Sequence, residues 1–232
     1  ASILSRLNYR PIKRLKLLIF INLTVIQIKM YDQEVIWDIL ADSWHNFRNK
    51  PDPISIYFRN KYAKIPGKII DLGCGNCRNL ILFKGYECYG VDFSSNMLEK
   101  AKIISKKFNL KIKLKKSNLV SLDFKNNFFD YALMIASLHH IKTNELRFTA
   151  LKELYRVLKK DGIALITVWN KWQLRFLFSR KNSHVKWHKK DKIYYRYYYL
   201  FNYFELKRLI KRAGFKILES KVGKNLIFIV KK

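Results

Sequence analysis

The stretch that decides the fold reads Asp71-Leu72-Gly73-Cys74-Gly75-Asn76-Cys77-Arg78-Asn79. It follows the apolar run Lys68-Ile69-Ile70, and a second apolar run, Tyr89-Gly90-Val91, ends at Asp92. A strand, a glycine turn, a helix start and a second strand that ends in a carboxylate form half of a nucleoside-binding site. An ordinary turn and a solvated aspartate are the alternative interpretation, which the strand context disfavours.

The glycines of this stretch suit a close approach of the backbone to a ligand. Gly73 and Gly75 allow a sharp turn after the strand, and Asp92 is placed to accept hydrogen bonds from a ribose diol. The stretch resembles the Asp-x-Gly-Cys-Gly-x-Gly loop of S-adenosylmethionine (SAM) methyltransferases with a Rossmann-like sheet, with Cys77 at the position of the third glycine. The resemblance implies SAM as the cofactor and adds Asp71 to the cofactor-binding residues.

The composition indicates one globular domain with a strongly basic surface. The 232 residues are 49% hydrophobic, which is enough for one substantial core, and no repeat or linker divides them. The chain has 47 Lys and Arg against 17 Asp and Glu, a formal charge of +30 that favours a polyanionic partner such as nucleic acid. A codon bias towards lysine, isoleucine and asparagine would produce the same excess.

Three cysteines, Cys74, Cys77 and Cys88, include a C-x-x-C pattern. A four-ligand zinc site would need more cysteines or well-spaced histidines, so we predict small-residue packing and no metal. Nothing indicates a disulfide framework or an oxidising compartment, and we expect a cytoplasmic protein.

The first 29 residues differ from the rest of the chain. Their apolar run at 17–28 is shorter than the roughly twenty residues that a membrane-spanning helix needs. Basic residues precede it, as in a signal or transit segment, but no small-residue cleavage site follows. We favour Met30 as the natural start, with 1–29 as an N-terminal extension of uncertain status and 30–232 as the SAM-dependent methyltransferase domain.

From Met30 onward, hydrophobic patterns alternate as in an α/β domain. Helices are predicted at 31–47, 52–63, 76–83, 95–107, 143–158 and 202–213. Strands are predicted at 68–72, 86–91, 111–116, 129–135, 162–169, 215–220 and 225–231. Crossover-length connections make the sheet mainly parallel, whereas the short Val222-Gly223-Lys224 turn makes the last two strands an antiparallel hairpin. The predicted fold is α/β and Rossmann-like, a class I methyltransferase with a seven-stranded sheet and helices on both faces.

Residues at the carboxyl ends of the strands are the site candidates, because open α/β sheets bind their ligands there. Asn118 and Leu119 follow the third strand, and Asn118 is expected to hydrogen-bond an adenine amino group. The fourth strand is followed by Ala136, which the resemblance puts in the cofactor cleft, and by His139 and His140, one of which would face the acceptor. Adjacent residues point in different directions, which disfavours a shared metal.

The end of the fourth strand also bears on the reaction. Enzymes that methylate adenine amino groups carry Asn or Asp before Pro-Pro-Tyr or Pro-Pro-Phe there, and cytosine C5 enzymes use a Pro-Cys nucleophile. Neither motif is present. An oxygen that is already negative needs only positioning and desolvation beside the sulfonium, without a strong base.

Segments outside the glycine loop narrow the resemblance to the tRNA wobble-uridine carboxymethyl methyltransferases. In that family Arg-x-Lys-Pro-x-Pro follows an aromatic helix, and the segment from Trp37 to Pro53 is similar to it. Four further segments resemble the family: Ile135 to Ile141, Val168-Trp169, Val185-Lys186-Trp187-His188, and Arg196-Tyr197-Tyr198-Tyr199-Leu200-Phe201. The resemblance covers about residues 30–232.

The resemblance implies the roles of the residues around the acceptor. Arg48, His140 and Arg196 are the candidate catalytic residues, since a guanidinium binds a carboxylate bidentately. The candidate substrate-binding residues are Lys50, Trp169, Tyr197, Lys186 and His188. Trp169, Tyr197 and Tyr199 are expected to stack on an extruded base, with a core role as the alternative for each ring.

The implied function is methyl esterification of 5-carboxymethyluridine at the wobble position of tRNA. The basic segment from Lys181 to Lys192 is the expected contact for the anticodon arm. The family works with a small zinc-binding activator subunit, so a heterodimer is expected, with Phe108, Ile112 and Leu114 as contacts. Two alternatives stay open: a class I methyltransferase with a small-molecule acceptor, and a catalytically weak tRNA-binding relative. Cys77 in place of glycine, and Asn118 where the family usually has Asp, suggest the second.

Overall fold

The computed structural model describes residues 32–232, so the predicted extension and start site lie outside the described residues. The α-helices are α1 Gln33–Phe47, α2 Pro53–Lys61, α3 Ser95–Lys107, α4 Asn144–Val157 and α5 Tyr203–Arg212. The strands are β1 Lys68–Leu72, β2 Glu87–Asp92, β3 Ile112–Lys116, β4 Phe129–Ile135, β5 Leu158–Trp169, β6 Asn182–Lys189, β7 Lys192–Tyr199, β8 Lys216–Val222 and β9 Asn225–Lys231. Of the helices in this part of the chain, none is long and apolar enough to cross a membrane.

Seven strands form one sheet in the order β3-β2-β1-β4-β5-β9-β8. The first five strands along the chain pair in parallel, and β9 lies antiparallel between β5 and β8. The strand order reverses between β1 and β4, which is where an open sheet leaves a crevice for a ligand. The predicted class I methyltransferase fold is confirmed.

Helices cover both faces of the sheet, because neighbouring residues of each buried strand point to opposite sides. Ile69 of β1 packs in a buried cluster with Phe58 of α2, whereas Ile70 packs in another with Leu151 of α4. The two clusters fix the sheet rigidly between its helices. The carboxyl ends of the strands are thereby held at fixed positions.

Each of these α-helices begins after a polar residue whose side chain accepts an N–H group of the first turn. The N-caps are Asp32, Asp52, Ser94, Thr143 and Asn202. Ser94 stands two residues after Asp92, and its N–H donates to Asp92 Oδ1 at 2.9 Å. The turn that starts α3 therefore also orients the carboxylate at the end of β2.

Three local predictions need correction. The predicted helix at 76–83 is a shorter 3-10 helix, Arg78–Phe83, because Cys77 has a left-handed φ of 61° and the Leu80 N–H bonds to the carbonyl only three residues back. β5 begins at Leu158 rather than at 162. The region 170–200, for which no element was predicted, contains the antiparallel hairpin of β6 and β7.

Candidate active site

A cavity of about 480 Å³ opens beyond the carboxyl ends of four central strands. Its wall includes Gly73 after β1, Asp92 at the end of β2, Ala136 after β4 and Trp169 at the end of β5. These residues come from both sides of the reversal in strand order, so the cavity occupies the position expected for a ligand in this fold.

The glycine loop after β1 requires its first glycine for packing. Gly73 has a φ of 73°, and a Cβ on it would lie 2.5 Å from Ser137 Oγ. The N–H groups of Gly73 and Cys74 both donate to the Val91 carbonyl, at 2.8 and 2.9 Å. Gly75 also has a positive φ, 52°. The loop is thus pinned between β2 and the segment after β4 only because residue 73 has no side chain.

Cys77 keeps a glycine-like backbone with a φ of 61° and is completely buried. Its sulfur is accommodated by Gly90 of β2, where an added Cβ would lie 2.8 Å from Cys77 Sγ. Cys74 and Cys88 are also buried free thiols, and burial raises the pKa of both. The C-x-x-C pair therefore packs as small residues. Among residues 32–232, no three His, Cys, Asp or Glu side chains are grouped to hold a metal ion.

Two buried carboxyls lie on the cofactor side of the cavity. Asp92 lines the wall, its Oδ2 accepts the Gly75 N–H at 2.8 Å, and burial raises its pKa to about 6. Asp71 is 1% exposed and lies below the wall rather than on it. Burial raises its pKa to about 7, and within the described residues its Oδ2 has no hydrogen-bond partner. Hydrogen-bond donors or a cation in the cavity would favour the ionised forms.

The part of the cavity near β3 suits a flat base. Asn118 and Leu119 line it together with Phe93. Leu119 is buried, whereas Asn118 is exposed and its Oδ1 accepts the Val120 N–H at 3.3 Å. An apolar wall beside a carboxamide is an arrangement that binds a purine ring and its polar edge.

Hydrogen bonds join helix α1 to the turn before α3 and to the glycine loop, and they position Arg48 at the end of the helix. Asp38 Oδ1 accepts the Ser94 hydroxyl at 2.6 Å, and Asn76 Nδ2 donates to the Arg48 carbonyl at 2.8 Å. Arg48 follows α1, lines the cavity, and forms no ion pair with a carboxylate of residues 32–232. The loop that would hold the cofactor thus also fixes a cation at the cavity wall.

Arg196 lies in an aromatic cage behind the same wall and is only 5% exposed. Its guanidinium carbon lies 4.7 Å from the ring centre of Trp187 and 5.6 Å from that of Trp37. Its Nη1 donates to Tyr198 Oη at 2.8 Å, while its Nε has no partner in the described part of the chain. Burial lowers its pKa, and the nearby charge of Arg48 adds to this effect. No carboxylate of residues 32–232 compensates this buried cation.

His139 and His140 stand in a 3-10 helix, Leu138–His140, and both line the cavity. Burial lowers the pKa of His139 well below its ordinary range and that of His140 to about 4. Both rings are therefore neutral at pH 7. Their ring centres are 4.6 Å apart, and His140 also packs edge to face on Trp37.

The structure does not support the predicted stacking of a base on Trp169 and Tyr197. Trp169 reaches the cavity, but Tyr198 stacks on its ring at 4.0 Å with an interplanar angle of 8°, and the Arg175 guanidinium lies 4.3 Å from its centre. Tyr197 is 5% exposed, and its hydroxyl donates to the Lys142 carbonyl. Tyr199 is buried as well. Core packing already occupies the faces of these rings.

Three other predicted substrate residues lie away from the cavity wall. Lys186 and His188 are exposed on β6, on the side of the hairpin that faces away from Arg196. Lys50 is exposed after α1, and its carbonyl accepts the Arg78 guanidinium at 2.6 Å. These side chains could contact only a substrate that extends well beyond the cavity.

Sequence reasoning missed three aromatic residues of the site: Trp37, Trp44 and Tyr198. Trp37 and Trp44 are seven residues apart, which is two helical turns and hence one face of α1. Tyr198 is two residues from Arg196, which puts both on one face of a strand. These two spacings were the available signals.

Comparison with known proteins agrees with this geometry. Residues 70–166 match a family described as a methyltransferase domain. A tRNA (carboxymethyluridine(34)-5-O)-methyltransferase of Saccharomyces cerevisiae is 32% identical over 135 residues, 58% of this chain and 46% of that protein. The protein of the same name from Schizosaccharomyces pombe is 28% identical over 209 residues, 79% of this chain and 88% of that protein. The chain thus spans less than half of the first relative and most of the second.

Among solved structures, a SAM-dependent methyltransferase from Methanosarcina mazei has the same fold. The TM-score is 0.68 at 22% identity, and the match covers 79% of this chain and 98% of that one.

The residues of the site fit SAM, the predicted cofactor. The glycine loop would take its methionine part, Asp92 its ribose, and Phe93 and Leu119 its adenine. The raised pKa of Asp92, which lines the wall, is consistent with a ligand that brings hydroxyl donors to this carboxylate.

Proposed function

We propose that this chain, a SAM-dependent methyltransferase of the class I fold, methylates the carboxylate of 5-carboxymethyluridine at the wobble position of tRNA. The observation that carries the proposal is Arg196, a buried guanidinium with no carboxylate partner among residues 32–232. An uncompensated buried cation costs stability unless a ligand neutralises it. Arg48, which lines the cavity, adds a second positive charge near it.

The chemistry of a carboxylate acceptor agrees with the neutral histidines. SAM supplies an electrophilic methyl group on a sulfonium. A carboxylate oxygen attacks that methyl carbon, the C–O bond forms as the S–C bond breaks, and no proton has to be removed. Arg48 on the cavity wall would hold the carboxylate for in-line attack, the charge of Arg196 behind the wall would attract it, and the Trp37 and Trp44 rings would exclude water. His139 and His140 are then not needed as bases.

Two surface features favour RNA as the carrier of the carboxylate. The segment 180–192 contains six Lys and Arg residues and one acid, Asp191, and forms β6 and the turn that leads into β7. The preceding segment exposes Trp172 (56%) and Phe178 (97%) among further cations. Basic side chains interleaved with exposed rings suit a nucleic acid with unpaired bases. Both relatives described above carry tRNA methyltransferase names.

The proposal includes a small zinc-binding activator subunit as a partner. β3 lies at the end of the sheet order, so one of its edges pairs with no strand of residues 32–232. Ile112 and Leu114 are half-buried at that edge, and Phe108 is exposed nearby. An open edge of this kind is suited to a protein partner.

The test is transfer of a labelled methyl group from SAM to tRNA that carries 5-carboxymethyluridine. The assay is run with and without the activator subunit, and with unmodified tRNA as control. We expect label in the carboxymethyl tRNA alone, and we expect mild base to release it because the product is an ester. A base-stable product, or no transfer with the activator present, would contradict the proposal.

A further inference from the structure

The two neighbouring histidines after β4 are fixed in different tautomers by their backbone partners. The Trp169 N–H can only donate, so His139 Nδ1, 3.1 Å away, accepts. The Tyr197 carbonyl can only accept, so His140 Nδ1, 2.9 Å away, donates. In neutral rings, the proton of His139 is therefore on Nε2, whereas Nε2 of His140 carries a lone pair.

The remaining donor is buried and has no partner within the described residues. His139 is 0% exposed, and its Nε2 makes no hydrogen bond there. The backbone of Ala136 raises the pKa of His139 slightly against the effect of burial. It does not, however, form a hydrogen bond with His139 Nε2. Leaving a buried donor unsatisfied is costly, but this nitrogen has no accessible surface, so a ligand in the cavity does not reach it. His140, in contrast, is only partly buried and lines the cavity.

The pair belongs to the acceptor side of the cavity. Tyr198, which accepts a hydrogen bond from Arg196, lies with its ring centre 4.9 Å from that of His139 and 4.5 Å from that of His140. A base whose substituent reaches Arg196 would therefore have its ring beside the two histidines.

We infer that His140 reads the imide edge of a uracil, its Nε2 accepting the N3–H. The inference rests on the proposed function, and it names the group that selects the base. A uracil in RNA has one ring N–H, at N3, with a carbonyl on either side. An acceptor that faces N3 matches that edge in either orientation. Cytosine has an acceptor at N3, which would face the lone pair of His140.

The same geometry distinguishes this role from catalysis. A base would have to gain a proton, but burial and the charge of Arg196 both lower the pKa of His140. A neutral ring locked by a backbone carbonyl is instead a fixed hydrogen-bond acceptor. We therefore treat His140 as a specificity-determining residue.

The experiment compares two anticodon stem-loop RNAs, one with 5-carboxymethyluridine and one with 3-methyl-5-carboxymethyluridine at the wobble position. The N3-methyl group removes the one ring donor and leaves the carboxylate intact. For the unaltered protein, we expect methyl transfer to the second RNA to fall by at least about tenfold. Binding of each RNA in the presence of S-adenosylhomocysteine is measured alongside and should show the same preference.

His140→Phe is the diagnostic variant because it keeps a ring in the packed site and removes the acceptor. It should bring the two RNAs to within about threefold of each other, mainly by losing activity on the first. A merely structural defect would lower both activities and leave their ratio unchanged. Calorimetric binding of S-adenosylhomocysteine checks that the cofactor half is intact.

The two readouts separate the inference from the function on which it rests. Methyl transfer with equal use of both RNAs overturns the uracil-edge inference and leaves the proposed function standing. Absence of transfer, with preferential binding of the RNA that keeps N3–H, overturns the function and supports the inference. No transfer and no binding preference overturns both.

Discussion

The two halves of the cavity carry opposite charge. The cofactor half contains the buried carboxyls of Asp71 and Asp92. The acceptor half has Arg48 on its wall and Arg196 behind the wall, and neither forms an ion pair with a carboxylate of residues 32–232. A sulfonium cation suits the first half and an anionic nucleophile the second. The polarity of the cavity therefore matches the direction in which the methyl group would move.

The halves also differ in how they are assembled. The cofactor half comes mainly from two stretches close in sequence, the glycine loop and the turn after Asp92, joined by hydrogen bonds of the loop N–H groups to Val91 and Asp92. The acceptor half combines α1, the end of β4 and the β6–β7 hairpin. Arg48 and Arg196 are far apart in the sequence, yet they are close enough in the structure for their charges to interact. Local bonding makes the first half rigid, whereas the second depends on long-range packing of aromatic rings.

The largest expected effect is the loss of the cofactor half through Gly73→Ala. The added Cβ would lie 2.5 Å from Ser137 Oγ at a φ of 73°, so the loop must move. We expect the affinity for S-adenosylhomocysteine, measured by calorimetry, to fall by about 100-fold or more. Gly85→Ala is the matched control, since Gly85 has a φ of 91° with nothing within 4 Å of an added Cβ. An unchanged affinity for Gly73→Ala would show that this half does not depend on the loop.

Arg196→Met tests the acceptor half alone. Removing the guanidinium should lower methyl transfer to carboxymethyl tRNA by about 100-fold, while the affinity for S-adenosylhomocysteine stays within about twofold. Because the buried cation has no carboxylate partner in the described residues, the free energy of unfolding should be unchanged or higher. The control is Arg208→Met on the exposed face of α5. Loss of stability together with activity would make Arg196 a structural residue.

The contrast between the halves explains what could be predicted from the sequence. The strand pattern, the glycine loop and the position of Asp92 follow from short-range spacing, and the fold they predict is confirmed. The hairpin was not predicted because β6 (NSHVKWHK) and β7 (KIYYRYYY) mix basic, polar and aromatic residues without a regular alternation of apolar and polar positions. The covering of Trp169 by Tyr198 and of Tyr199 by Arg147, whose guanidinium lies 3.5 Å from the ring centre, depends on elements distant in sequence. No local pattern indicates such contacts.

A pH titration of cofactor binding tests the role of a single side chain, Asp92, in the cofactor half. Ribose hydroxyls favour the ionised form of Asp92, whose pKa burial raises to about 6. The affinity for S-adenosylhomocysteine should therefore be full well above pH 6 and fall by up to about tenfold per pH unit below it.

The matched variants identify the group that titrates. Asp92→Asn should lose both affinity and this pH dependence. Asp71→Asn should keep the inflection near pH 6, because the pKa of Asp71 is about 7 and its side chain lies below the cavity wall. Both folded-state pKa values are raised, so ionisation of these carboxyls costs folding stability as the pH rises through them. A gain in affinity with pH is thus not a gain in stability. A flat titration from pH 5 to 8 would rule out Asp92 as the ribose ligand.

The smallest effect concerns how far the acceptor half extends beyond the cavity. Lys186 is exposed on the outward face of β6, so Lys186→Ala removes a positive charge without disturbing the cage around Arg196. We expect tRNA affinity to fall by about two- to fivefold and the slope of log affinity against log salt to decrease by about 1. Lys84→Ala is the control, because Lys84 is exposed before the amino end of β2, whereas the cavity lies beyond the carboxyl ends of the strands. If both variants change the salt dependence equally, the tRNA contact is diffuse, and the acceptor half ends at the cavity rather than at the hairpin.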